Sequence, residues 1–209
     1  MGNEAQAVRG AGAWPRWLFV LSALGLGSLL LADEQPDFKS EPVSWTFLRA
    51  EGSSLSLDGV FSIKLSGDNH WRRRPMTSGP SGFTLNKWDI VDEKDAKLGG
   101  LSILDLDLTK VPDAKRAAYL RKFAEAYQKA LDGAIVKTGF VETDAAVSAI
   151  DAKWPHSMKA VSSFVRDSEN RVNITYLFPA NHLFILNYSG PTSDEPQWFG
   201  ETWQSLEAP

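Results

Sequence analysis

The chain contains no cysteine, only three histidines and a formal net charge of only −4. Without cysteine there are no disulfides, no thiolate catalysis, no cysteine-ligated zinc site and no lipid-modified cysteine. That absence does not name a compartment. His70, His156 and His182 are dispersed and form no His-Glu-x-x-His pattern, so no zinc centre is expected. Gly-x-Ser-x-Gly, the phosphate-loop Gly-x4-Gly-Lys-Ser/Thr and the EF-hand spacing are missing as well. No internal repeat is visible. With 22 basic against 26 acidic residues, non-specific nucleic-acid binding is disfavoured. These absences leave a chain for which no catalytic residue, metal or cofactor is expected.

What is present starts with the N-terminus. Residues 1–16 are small and polar, carry Arg9 and Arg16, and lead into WLFVLSALGLGSLLL at 17–31. Ala32 and the acidic Asp33-Glu34 follow. A basic flank, an apolar segment of this length and an acidic exit predict an export signal over 1–32. The same segment, left uncleaved, would serve as a membrane anchor through residues 17–31, with tilt or bilayer thinning making up its shortness. Residues 33–43 are charged and contain proline, which predicts a linker. Loss of 1–32 would remove two basic residues and one acidic one, leaving 20 against 25 and a net charge of −5.

Residues 44–209 predict one globular domain; the whole chain is 43% hydrophobic and 23% charged. Strands are expected at 44–50, 60–65, 83–91 and 98–108, the first two separated by a Ser/Gly-rich turn. Leu104, Leu106 and Leu108 alternate with Asp105 and Asp107. A polar strand face explains those carboxylates better than a cation site shared with Asp92 and Glu93. Pro112-Asp113 starts a long helix that Gly133 ends, with Leu120, Phe123, Ala124, Tyr127 and Leu131 as its apolar stripe. Strand character resumes at 135–141, and 145–154 reads equally as strand or helical turn. Val172, Ile174, Tyr176 and Phe178 then recur with the period of two of a half-buried strand. Short polar turns on either side make 161–189 a three-stranded antiparallel meander. A closing helix at 194–207 carries Phe199, Trp203 and Leu206 on one face, entered through a capping-box spacing at Thr192–Glu195. Strands, one long helix, more strands and a final helix define an α+β fold with a largely antiparallel sheet.

Gly59-Val60-Phe61-Ser62-Ile63-Lys64-Leu65 with Trp71 shortly after resembles the opening strand and turn of PsbP-like proteins and their DcrB-type bacterial relatives. HLFILNYSG followed by EPQWFGETWQSLE is similar to that family's last strand and closing helix, with Ser205-Leu206 as its final pair. The likeness covers about residues 43–207. It implies an antiparallel sheet flanked by helices on both sides, a PsbP-like α/β/α sandwich. It also implies non-catalytic work, because members of that family bind partner proteins.

The sharpest local feature is His70-Trp71-Arg72-Arg73-Arg74-Pro75. Trp71, Arg72, Arg73 and Arg74 are the expected binding residues. Guanidiniums beside an indole suit a phosphate, a carboxylate or an acidic protein surface, and a solvated loop is the bland alternative. Two functional expectations follow. The first is an exported or membrane-tethered, non-enzymatic binding or accessory module of the cell envelope, with a protein partner and no nucleic acid. The alternative is an envelope enzyme of the hydrolase class with an unrecognised site.

Overall fold

In a computed structural model, the described residues are 49–51, 53–57, 59–74, 77–78, 84–104, 111–150, 154–180, 182–192 and 194–208. The expected signal or anchor at 17–31, the linker at 33–43 and the carboxylates Asp105 and Asp107 lie outside them. No helix among the described residues is long and apolar enough to cross a membrane.

Strands β1 (Arg49–Glu51), β2 (Ser54–Leu57) and β3 (Phe61–Lys64) form a small antiparallel sheet. Next come β4 (His70–Arg73), β5 (Thr77–Ser78), β6 (Thr84–Val91) and β7 (Lys97–Leu104). Helix α1 spans Asp113–Val136. After it, β8 (Val141–Ala149), β9 (Met158–Arg166), β10 (Glu169–Pro179) and β11 (Leu183–Gly190) lead to α2 (Gln197–Ser205). The large sheet is eight-stranded and antiparallel, in the order β4-β6-β7-β11-β10-β9-β8, with β5 added onto β6. The architecture is therefore α+β, with the expected meander at its centre.

Side-chain alternation sends two cores to opposite faces of the large sheet. On one face, Leu177, Leu183, Ile185 and Met158 meet Leu120, Phe123 and Ala124 of α1. This helix packs on β8, β9 and β10. On the other face, Trp88, Ile90, Leu101, Ile174, Phe178 and Phe184 are covered by Leu55, Phe61 and Ile63 of the small sheet and by Phe199 of α2. Burying such side chains stabilises the fold by about 1.5–3 kcal/mol each, which docks a helix of nine residues that would not persist alone.

Four expectations change. The stretch at 54–57 is a strand rather than a turn: Leu55 and Leu57 are buried between the less buried Ser54 and Ser56, the half-buried pattern in miniature. Helix α1 runs through Gly133 to Val136, followed by a turn with Gly139 at φ 93°, so of the expected strand at 135–141 only Val141 is in a strand, as the first residue of β8. Ile135 is buried against Phe140 and Phe164, and that packing outweighs the helix-breaking tendency of glycine. Of the ambiguous 145–154, residues 145–149 belong to strand β8. The closing helix begins at Gln197 rather than Asp194, with Pro196 as its cap residue; the proline ring has no acceptor to offer, so there is no side-chain cap, and Glu195 instead accepts from the Tyr176 hydroxyl.

Candidate functional site

The expected binding run lies on a strand and not in a loop: His70–Arg73 is β4, paired with β6 through Trp71↔Ile90 and Arg72↔Asp89. Strand alternation therefore divides the run. Trp71 is buried in the core under the small sheet, and its indole N–H donates to the Ser53 carbonyl at 2.9 Å. It offers no open surface. Arg73, on the same side of the strand, is exposed. Arg72 and Arg74 point to the opposite face, the one that α1 covers at the far end of the sheet.

There they meet three residues from neighbouring strands. Asp89 has only 4% of its side chain open and lies 2.5 Å from Arg74 Nε, 2.8 Å from Lys97 Nζ and 3.5 Å from Arg72 Nη2. Lys87, two residues earlier on β6, shares this face. Its burial, reinforced by the nearby Lys97, lowers its pKa from 10.5 to about 8. A carboxylate taken this far out of water costs several kcal/mol unless charge partners surround it, and here three cations do. The cations are held in return, yet Arg72 and Lys97 keep 42% and 33% of their side chains open. At the rim, His70 Nε2 stands 3.4 Å from Asp95 Oδ1. The arrangement is a preorganised basic patch with planar and point-charge donors, suited to carboxylates or phosphates.

The other histidines sit apart: His156 Nε2 is 3.4 Å from Asp113 Oδ1, and His182 is buried edge-on to Phe184. Among the described residues, no three His, Asp or Glu side chains gather as metal ligands would.

Two further polar clusters escape a reading by sequence. Under α1, Asp132 accepts from Ser162 Oγ at 2.7 Å, Asn173 Nδ2 at 3.0 Å and Gln128 Nε2 at 3.2 Å. All four side chains are buried, and desolvation raises the Asp132 carboxyl from 3.8 to about 6 against the pull of those hydrogen bonds. This network joins α1 to β9 and β10. At the entrance to α2, Glu195 accepts from the Tyr176 hydroxyl at 2.8 Å and lies 2.5 Å from Lys159 Nζ. Burial and that carboxylate raise the Tyr176 hydroxyl far above its ordinary value. Trp203 stacks on Tyr176 with ring centres 4.9 Å apart. Both clusters tie elements together across the sheet.

No protein-family model matches the chain, and no curated protein matches it.

Proposed function

We propose that this protein is a non-catalytic binding module of the cell envelope that holds an acidic surface of a partner protein on the basic patch of β4, β6 and β7. The carrying observation is the placement of Arg72, Arg74, Lys87 and Lys97 around the buried Asp89. A wholly buried ion network would serve stability alone. Here the cations reach solvent from fixed positions, so little side-chain freedom is lost when an anion binds. The chain as a whole is acidic, and a local positive field steers and orients an anionic partner. Supporting the envelope assignment is the basic-apolar-acidic order of residues 1–34, which delivers the domain across the membrane or tethers it there.

The test uses the Arg72→Ala/Lys97→Ala variant, with a polyglutamate peptide as the probe. Wild type should bind the peptide and release it as salt rises, because exposed charges are screened beyond about 8 Å at physiological ionic strength. The variant should lose most of that binding under conditions where circular dichroism shows both proteins folded. Its denaturation midpoint should fall, because Asp89 then keeps only Arg74 of its three ion-pair partners. Equal binding by both proteins would remove the basic patch from consideration. Fractionation of cells producing the full chain tests the location separately, and recovery in the cytosol would refute the envelope assignment.

A further inference from the structure

Strand β8 ends the large sheet, and its only strand neighbour among the described residues is β9. Its outward hydrogen-bonding groups can be assigned. Ile150 N–H donates to the Ser157 carbonyl at 2.9 Å, which makes 150/157 a hydrogen-bonded pair continuing the β8–β9 register. Hydrogen-bonded and non-bonded pairs alternate along an antiparallel ladder. Residues 144, 146 and 148 therefore bond inward to β9, while Ala145, Val147 and Ala149 turn N–H and C=O outward. The Arg121 guanidinium on α1 donates to the Val147 carbonyl at 2.9 Å, on that outer edge.

Three features set this edge apart. It is nine residues long, and eight of them are exposed. It contains no proline, lysine or arginine; its protecting devices, the carboxylates Glu142 and Asp144 and the irregularity between them, stand in its first half and leave 145–149 without either. The exposed large hydrophobic side chains of the described residues, Val136 and Val141, both lie at its leading corner.

We propose that β8 is a docking edge that takes an extended, basic segment of a partner protein as an added antiparallel strand. Charge selects that occupant. Glu142 and Asp144 are the charged residues of β8, and both are exposed. On the exposed flank of α1, Arg121 and Glu125 are one helical repeat apart. Along the strand itself the charges are thus two exposed carboxylates, and the guanidinium that reaches it, Arg121, already occupies an edge carbonyl. A second copy of this chain fits poorly. The register shift between Glu142 and Asp144 confines a regular self-paired ladder to 144–149, whose side chains are one Asp, one Ser, one Val and three Ala. Such an interface falls far short of the roughly 1,600 Å² of a standard stable one, and two acidic chains repel. Arg121 acts as a guard: it satisfies the Val147 carbonyl until an incoming strand replaces it.

The test is amide hydrogen exchange on the full chain with two short capped peptides, one alternating valine with lysine and one alternating valine with glutamate. The lysine peptide should slow exchange at Ala145, Val147 and Ala149 while leaving 144, 146 and 148 as they were. The glutamate peptide should not. Ala145→Pro deletes an outward N–H without touching the β8–β9 ladder, a substitution edge strands accept, and should weaken lysine-peptide binding about tenfold. Arg121→Ala should strengthen it. Protection by both peptides alike, or by neither, overturns the proposal. So does protection that grows with protein concentration in the absence of peptide, which would assign the edge to a second copy. The far-ultraviolet circular dichroism of each variant must match wild type, and Val147→Pro replaces Ala145→Pro if that variant misfolds.

Discussion

Ser162 on β9 and Asp132 on α1 are 2.7 Å apart, the hydroxyl donating to the carboxylate within a buried polar cluster shared with Gln128 and Asn173. The consequence is a titration coupled to folding. Asp132 holds its proton more tightly in the fold, at about 6, than at its ordinary 3.8. Stability from this group is therefore greatest below about pH 4 and is lost as pH rises through 6. The span corresponds to about 3 kcal/mol at most. Urea midpoints should show this fall in wild type relative to Asp132→Asn, in which that part of the pH slope disappears.

Lys87 gives the basic patch its own pH dependence. Because burial lowers its pKa to about 8, the patch loses one positive charge between pH 7 and pH 9. Polyglutamate binding should weaken over that interval. In Lys87→Arg the guanidinium stays charged, so binding should persist at pH 9. Titrations at the two pH values decide the matter.

Phe199, not Trp203, anchors the closing helix. Phe199 is fully buried, whereas Trp203 is part-exposed and stacks on Tyr176. Phe199→Ala should destabilise the domain by about 3–5 kcal/mol, and Trp203→Ala by less, roughly 2 kcal/mol, since part of the indole already faces water. Chemical denaturation of the two variants gives the ranking.

Gly100 lies in β7 between β6 and β11, where an added Cβ would come within 2.5 Å of the Trp88 carbonyl oxygen. At Gly99 the same addition overlaps the Asn187 carbonyl. Neither neighbour is a side chain that can swing away. Gly100→Ala should cost about 1–3 kcal/mol, as an overpacked core does. Urea denaturation of the variant against wild type measures the loss.

Sequence pattern made the meander and the long helix legible because both bury regular stripes: Ile174, Tyr176 and Phe178 with period two, Leu120, Phe123 and Ala124 with the helical one. It failed for β8, which has no apolar period because nearly every position faces solvent. On α1, Tyr127 packs on Phe123 as its place in the stripe requires, but Gln128 and Asp132 are also buried while Leu131 is only half-buried, so hydrophobicity alone misses the polar part of the inner face. The basic patch was half visible. Three consecutive arginines drew attention, but a strand period applied to residues 70–74 and 84–91 would have separated Trp71 and joined Arg72 to Asp89. What hid it was the assumption of a loop.

The end of α2 is stitched to β3 by reciprocal bonds. Ser62 and Glu207 exchange backbone hydrogen bonds at 2.8 Å, and the Ser205 hydroxyl accepts from Lys64 N–H while donating to the Lys64 carbonyl. Thr202 Oγ1 accepts from Ser66 N–H at 3.2 Å. The first and last parts of the described chain therefore close over the same core as one flap. Neither can lift alone without stranding the other's polar groups, so the two open as a single cooperative unit. A cut near residue 205 would loosen strands that precede it by some 140 positions.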